Sequence, residues 1–335
     1  MKDMLKRLHD ALKRVGILRA VVRSVRASAS ETMDTFESLR FTRRYSFDDR
    51  SSGSDRMVLV LAGYKPALWD AVFARLERFA PKGADVCVAT AGRSVAQLRE
   101  MCRERGWSYL STRRNNVALV QNMAIRLHKS ARWIYKMDED IFLTEGVFER
   151  MMAAYLSAPE KLLAEVGFVS PLIPLNGYGH VRLLLRLGLK SAWESRFGRL
   201  VYTDGLTDHT AILSDPASAR FMWGETEPGL RGIDALNRLV SQDEGRLSAC
   251  PYRYSVGFIL FERSMWEKMK YFYVTVSGTG LGIDEEQICN YCMMHAKAMV
   301  VAEDAVVGHF SYGPQTASML DYMKSNAEFA ASLMP

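Results

Sequence analysis

The stretch Arg132–Phe142, RWIYKMDEDIF, decides how the chain is read. A short apolar run ends in three consecutive carboxylates, Asp138, Glu139 and Asp140. In an extended strand, side chains two apart share a face, so Asp138 and Asp140 are expected on one side and Glu139 on the other. Two carboxylates on one face at a sheet rim suit a hard divalent cation, Mg2+ or Mn2+. Such an ion would accept phosphate oxygens from a substrate and neutralise a departing diphosphate.

Upstream of that stretch, strand and helix patterns alternate. MVLVLAG (57–63) is an apolar run closed by glycine and predicts a buried parallel strand. ADVCVATAG (84–92) and WSYLST (107–112) predict two more. PALWDAVFARLERFA (66–80), SVAQLREMCRERG (94–106) and NVALVQNMAIRLHKSA (116–131) have helical spacing between them. The β-α-β-α-β-α-β order implies an α/β fold: a mostly parallel central sheet with helices on both faces. Ligands of such sheets bind at the carboxyl ends of the strands, where the acidic cluster falls. The second half is less regular. YSVGFILFERSMWEKM (254–269) predicts a strand running into a helix, DEEQICNYCMMHAKA (284–298) a helix, and MVVAEDAVVGHFSYG (299–313) late strands. The tail after Ala317 is expected to be a weakly anchored helix.

At 335 residues, 48% hydrophobic and 24% charged, the chain can bury a large core. It has no run of about 18 uncharged apolar residues, so a spanning helix is not expected, and no signal-peptide pattern predicts export. Five cysteines, at 87, 102, 250, 289 and 292, form an odd set without framework spacing, which points to reduced thiols and a cytoplasmic setting. The formal charge of +6 is localised. Residues 1–26 carry eight of the 44 Lys and Arg but two of the 38 Asp and Glu, leaving 36 of each in the remainder. A nucleic-acid enzyme usually spreads basic charge over its working surface, so no nucleic-acid partner is expected. The basic segment has Leu5, Leu8, Leu12, Val15, Val22 and Val25 at helical spacing, the pattern of an amphipathic helix lying on an anionic membrane surface. The expected organisation is a basic helical segment (1–45), a polar linker (46–56), a catalytic domain (57–316, its halves meeting near 170) and a C-terminal tail (317–335).

An Asn-bearing helix, NVALVQNMAI, followed by a strand ending in D-x-D resembles the nucleotide-sugar glycosyltransferases of the A-type fold (GT-A), and among them the broad family 2. The resemblance spans roughly 57–312 and is strongest over 57–145. It implies a nucleoside-diphosphate sugar donor and a divalent metal, Mn2+ or Mg2+. By that likeness Asp138 contacts the nucleoside ribose and the metal, Asp140 ligates the metal, Asn122 belongs to the donor site, and Ala62, Gly63 and Tyr64 face the base. It also implies that His309, in VVGHFSYG, completes the metal site, and that the acids of SGTGLGIDEEQI lie beneath the acceptor hydroxyl. Asp284 or Glu285 would then act as the base, with Glu286 facing away, and direct attack would invert the anomeric configuration. The acceptor would be a glycan or a lipid-linked sugar, in surface-glycan synthesis at the cytoplasmic face of the membrane. A metal-dependent nucleotidyltransferase and a non-catalytic membrane-associated scaffold are the rival readings. Arg253, Tyr254, Glu262 and Trp266 fall near the second half of the expected cleft, and Asp208–His209 in an expected acceptor loop. Cys289 and Cys292 lack a second pair for zinc and read as core thiols.

Overall fold

Among the described residues of this computed structural model (44–204, 210–311 and 313–335), nine strands form one sheet. They are β1 (Tyr45–Asp48), β2 (Arg56–Leu61), β3 (Asp85–Ala91), β4 (Ser108–Thr112), β5 (Trp133–Asp138), β7 (Glu165–Leu172), β8 (Leu247–Cys250), β9 (Phe258–Glu262) and β10 (Lys297–Val306). Their spatial order is β1-β4-β3-β2-β5-β9-β7-β10-β8. A separate two-stranded ribbon pairs β6 (Ile141–Phe142) with β11 (Gly308–His309). The expected membrane-facing helix and the Asp208–His209 loop lie outside the described residues.

The alternation read from the sequence is present: helices Trp69–Phe79, Ala96–Glu104 and Val117–Leu127 connect β2, β3, β4 and β5. β3 is buried along its whole length, as a parallel strand covered on both faces must be. β2, β3, β4 and β5 pair in parallel, so their carboxyl ends share one rim. From β2 the chain steps outward to β3 and β4, then crosses back to place β5 on the other side of β2. With right-handed crossovers, that reversal sends the connecting helices to opposite faces and leaves a crevice between the carboxyl ends of β2 and β5. Ala62–Lys65 and Asp138–Asp140 leave the sheet at that crevice.

The expected mostly parallel sheet is present, with β9 antiparallel to both β5 and β7 and β8 antiparallel to β10. Two expectations change. The 46–56 stretch is not a free linker. It supplies β1, and the Asp85 carboxylate accepts the backbone N–H groups of Ser52, Gly53 and Ser54 at 2.7–3.2 Å, which fixes the polar turn to β3. The tail is firmly held, as helices Pro314–Ser325 and Ala327–Ser332. Phe329 and Leu333 are buried, and the fully buried Arg75 donates to the carbonyls of Ser332, Leu333 and Met334 while pairing with Asp234 at 2.9 Å. A guanidinium taken out of water needs its donors satisfied, and the C-terminus satisfies three of Arg75's contacts.

Candidate active site

Each acid of Asp138–Asp140 meets a different part of the fold. Glu139, the middle one, turns toward β2. Its carboxylate accepts the backbone N–H of Gly63 and of Tyr64 at 2.9 Å and the Trp69 indole N–H at 2.6 Å. Gly63 has φ +132°, a conformation side-chain-bearing residues rarely adopt, and this lets the chain leave β2 with both amides aimed at Glu139. Ala62 is buried and hydrogen-bonds to β3, whereas Tyr64 is half exposed. The Tyr64 hydroxyl donates to Asn115 Oδ1 at 3.1 Å, and the Arg93 guanidinium lies over its ring at 5.1 Å. Of the three base-facing candidates, only Tyr64 has a ring, and Arg93 covers one face of it.

Asp138 closes β5. Its backbone N–H reaches the Gly257 carbonyl, and its Oδ1 accepts from Lys136 Nζ at 2.7 Å. Lys136 is buried on the same face of β5, two residues earlier, and also donates to the Val256 carbonyl at 2.8 Å. Burial works against its charge, but Asp138, then Asp284 and Glu285, more than offset this and hold the ammonium above its ordinary pKa.

Asp140 lies beyond the strand end and is 1% exposed. Its Oδ2 is 2.6 Å from Lys65 Nζ and 3.4 Å from His309 Nε2. Burial pushes its pKa up, yet His309 (where protonated) and Lys65 prevail and hold the carboxyl well below the usual range. The β6–β11 ribbon explains how a residue 169 positions later arrives here: it sets His309 opposite Ile141, the neighbour of Asp140. Gly257 provides the remaining wall. A Cβ on Gly257 would stand 3.7 Å from His309 Cε1 and 3.8 Å from Asp138 Oδ2, so its bare backbone leaves these two facing one space.

The second acidic motif comes to the same rim. Gly282, at φ +82°, starts the helix Ile283–Met294 and places Asp284, Glu285 and Glu286 in its first turn, where the dipole favours acids. Asp284 is buried and accepts from Gln121 Nε2 at 2.7 Å. Glu285 accepts the Val256 N–H at 3.0 Å and pairs with Arg253 at 2.5 Å. Burial raises its pKa, against the opposing pull of Arg253 and Lys136. Glu286 is exposed.

Asn122 does not join this group. Its amide donates to the Phe272 carbonyl and accepts from Trp266 Nε1 and the Phe272 N–H, at 2.7–3.0 Å. Those bonds make it an internal bracket for the 266–272 segment. Its neighbour Gln121 is the side chain of that helix that reaches the site. Cys289 and Cys292 are fully buried, with thiols pushed up to about 12 by burial, as core residues should be. The sequence reading missed Lys65, Gln121 and Lys136. Lys136 carried a signal, since a lysine two before an acid in a strand must share its face.

The donors can be tested against a divalent ion. Among the described residues, no three His, Cys, Asp or Glu side chains cluster tightly enough to hold one as they stand. Asp140 and His309 are together, Asp138 faces them across Gly257, and His309 Nδ1 is buried with no hydrogen-bond partner among the described residues. Two carboxylates and an imidazole fit an ion such as Mn2+ in chemistry. The place beside Asp140 is taken by the Lys65 ammonium.

No protein-family model and no curated protein matches the chain. Solved structures do overlap it. GalNAc-T7 with UDP, GalNAc and Mn2+ covers 76% of this chain at 9% identity and TM-score 0.43. The mannosyltransferase PcManGT of Pyrobaculum calidifontis with GDP-Man and Mn2+ covers 86% at 15% identity and TM-score 0.42. Glucosyl-3-phosphoglycerate synthase of Mycobacterium tuberculosis with Mn2+, UDP and glucosyl-3-phosphoglycerate covers 83% at 13% identity and TM-score 0.39. The chain spans 43% of the length of the GalNAc-T7 chain, 67% of the mannosyltransferase and 80% of the synthase. At these scores the overlaps assign neither substrate nor mechanism.

Proposed function

We propose that this chain transfers a sugar from a nucleoside-diphosphate donor to an acceptor hydroxyl, with a divalent ion as cofactor. One observation carries the reading: acids from two distant segments come together at the carboxyl end of β5, where buried Lys136 donates to Asp138 and to the Val256 carbonyl while the Val256 N–H donates to Glu285 beside Asp284. A donor end and an acceptor end within reach of one another are what a group-transfer site requires.

In this reading the exposed Tyr64 ring receives the nucleotide base, and Asp138, Asp140 and His309 hold the ion. The ion would supply charge neutralisation at the leaving diphosphate. Asp284 accepts the acceptor's hydroxyl proton as that oxygen attacks the anomeric carbon, and the configuration inverts. Gln121 holds one oxygen of Asp284, leaving Oδ1 without a hydrogen bond among the described residues. Glu285 is engaged by Arg253 and Val256, which favours Asp284 as the base.

The acceptor side of the proposal is a glycan or lipid-linked sugar, with the basic 1–26 segment holding the enzyme to an anionic membrane. No described helix is long and apolar enough to cross a membrane. Cosedimentation of the full chain, and of a chain lacking 1–43, with anionic vesicles tests this. Equal binding by both would remove the basic segment's role. The chemistry is tested by thermal shift with UDP, GDP, CDP and dTDP, with and without Mn2+. A Mn2+-dependent shift with one of them is expected, and none with any of them would sink the assignment.

A further inference from the structure

Resting on that reading, we propose that Lys65 is an internal counter-cation: it occupies the divalent-ion position on Asp140 and exchanges that partner for the donor's diphosphate when an ion binds.

The argument begins with one oxygen. Asp140 Oδ2 takes both Lys65 Nζ, at 2.6 Å, and the approach of His309 Nε2, at 3.4 Å. These are the two neighbours an ion on that oxygen would have to deal with. His309 can serve as a co-ligand through a ring nitrogen. Lys65 cannot: an ammonium has three donors and no lone pair to give a metal. An ion bound to the same oxygen would set two positive charges side by side, so Lys65 must withdraw.

The lysine has somewhere to go. Asp140 is 2% accessible in its side chain, whereas Lys65 is 22% accessible. It also follows Gly63 and Tyr64, at the mouth of the crevice and outside the sheet. Its other acceptor is the Ser311 carbonyl, at 2.7 Å. Ser311 has φ +64°, an uncommon conformation for a residue with a side chain. That carbonyl also accepts from Thr316 Oγ1 at 2.7 Å, so losing Lys65 does not leave it without a partner. The lysine therefore straps the end of β2 to the segment following His309 by two bonds, both replaceable. A diphosphate at this mouth is a better partner for a mobile ammonium than one neutral carbonyl.

This geometry gives Lys65 opposite effects on two ligands. It competes with the ion for Asp140 and cooperates with the diphosphate. The test uses the full chain stripped of metal, as wild type, Lys65→Met and Lys65→Arg. Mn2+ alone is titrated by calorimetry, and Mn2+–pyrophosphate is titrated separately into the Mn2+-loaded chain. The expected result is Mn2+ binding at least about tenfold tighter in Lys65→Met, as loss of a charged competitor predicts, with Lys65→Arg near wild type. Pyrophosphate binding falls in Lys65→Met and is retained in Lys65→Arg. Equal Mn2+ affinity in wild type and Lys65→Met overturns the proposal, and so does no Mn2+ uptake by any of the three. The nucleoside-diphosphate thermal shift on wild type separates the outcomes. If that shift is present while the Lys65 variants are unchanged, only the lysine's role fails.

Discussion

Replacing Lys136 with methionine removes a charge and keeps most of the volume, so the loss reports electrostatics and not packing. The ammonium is buried, with direct contacts to Asp138 Oδ1 at 2.7 Å and the Val256 carbonyl at 2.8 Å. Breaking one side of a buried ion pair costs about 3–5 kcal/mol. The Asp138 side chain is 36% accessible, and water can take over part of its solvation. That discount brings the expected loss to about 2–3 kcal/mol, or a melting-point drop of roughly 5 °C for a domain of this size. The loss should depend on pH in a fixed direction. Glu285 already has a raised pKa in the fold, and Lys136 is one of the charges that restrains the rise. Without it the folded state binds that proton more readily than the unfolded chain does. The penalty is therefore full where Glu285 is ionised, and it shrinks as pH falls toward and through its folded pKa, above the usual 4.5. Urea unfolding at pH 8 and pH 5 should show the larger deficit at pH 8. The double change Lys136→Met with Asp138→Asn should recover part of it. An equal deficit at both pH values, with no recovery in the double variant, would refute the electrostatic account.

Four further changes probe the site and the C-terminal tail. Asp284→Asn should lower kcat by about 10²–10⁴-fold while leaving nucleoside-diphosphate binding intact, as expected for loss of a general base; Glu285→Gln should act more weakly, and the opposite order would exchange their roles. Glu139→Gln replaces an acceptor-only group by an amide facing three N–H donors, so it should cost about 2–4 kcal/mol in urea unfolding and weaken nucleotide binding through Gly63 and Tyr64. Deleting residues 326–335 strips Arg75 of three carbonyl contacts and uncovers Phe329's site, so a large drop in melting temperature is expected. A freely removable tail would leave the melting point unchanged.

The legible and illegible parts of this fold divide along a physical line. Local periodicity reports what a segment buries, and it placed the first four strands of the crevice half and their helices because each buries a continuous apolar run. It cannot report direction in a mixed sheet. β9 has the same apolar pattern whether it lies parallel or antiparallel to β5, and only the path of the intervening residues 139–257 decides. The polar turn at 49–55 looked free because its partner, the Asp85 carboxylate, lies 31–33 positions away. Arg75 looked like an ordinary basic residue on an amphipathic helix, and nothing local distinguishes an arginine that binds a chain terminus 258 residues later. At the site, the acids were conspicuous as a run and by their match to a motif. Asn122 was drawn in by that motif, while its tertiary partners are Trp266 and the Phe272 backbone. Lys136 was legible by its spacing from Asp138 in the strand, whereas Lys65 was not, because a single cation in sequence says nothing about which distant anion it will meet.

Three adjacent carboxylates at a buried rim would repel one another by about 3 kcal/mol per pair at 5 Å and an effective dielectric of 20. The fold resolves this by giving each acid its own positive partner from a different segment. Asp138 has Lys136 from its own strand, Glu139 has three N–H groups from the β2 exit and the following helix, and Asp140 has Lys65 with His309 at its side. These partners are not equivalent. The backbone amides on Glu139 cannot leave without unfolding the β2 exit, and Lys136 is enclosed, whereas Lys65 is partly open to water. The middle acid therefore acts as a permanent tie between the two central strands. Asp138 turns Oδ2 toward the space beside Gly257 and His309, and Asp140 turns the oxygen that Lys65 occupies toward His309. Of the three positive partners, only the one on Asp140 can be exchanged for an incoming cation without dismantling the sheet, so on the proposed reading position 140 is where a metal would enter, and position 139 is the point of greatest structural cost.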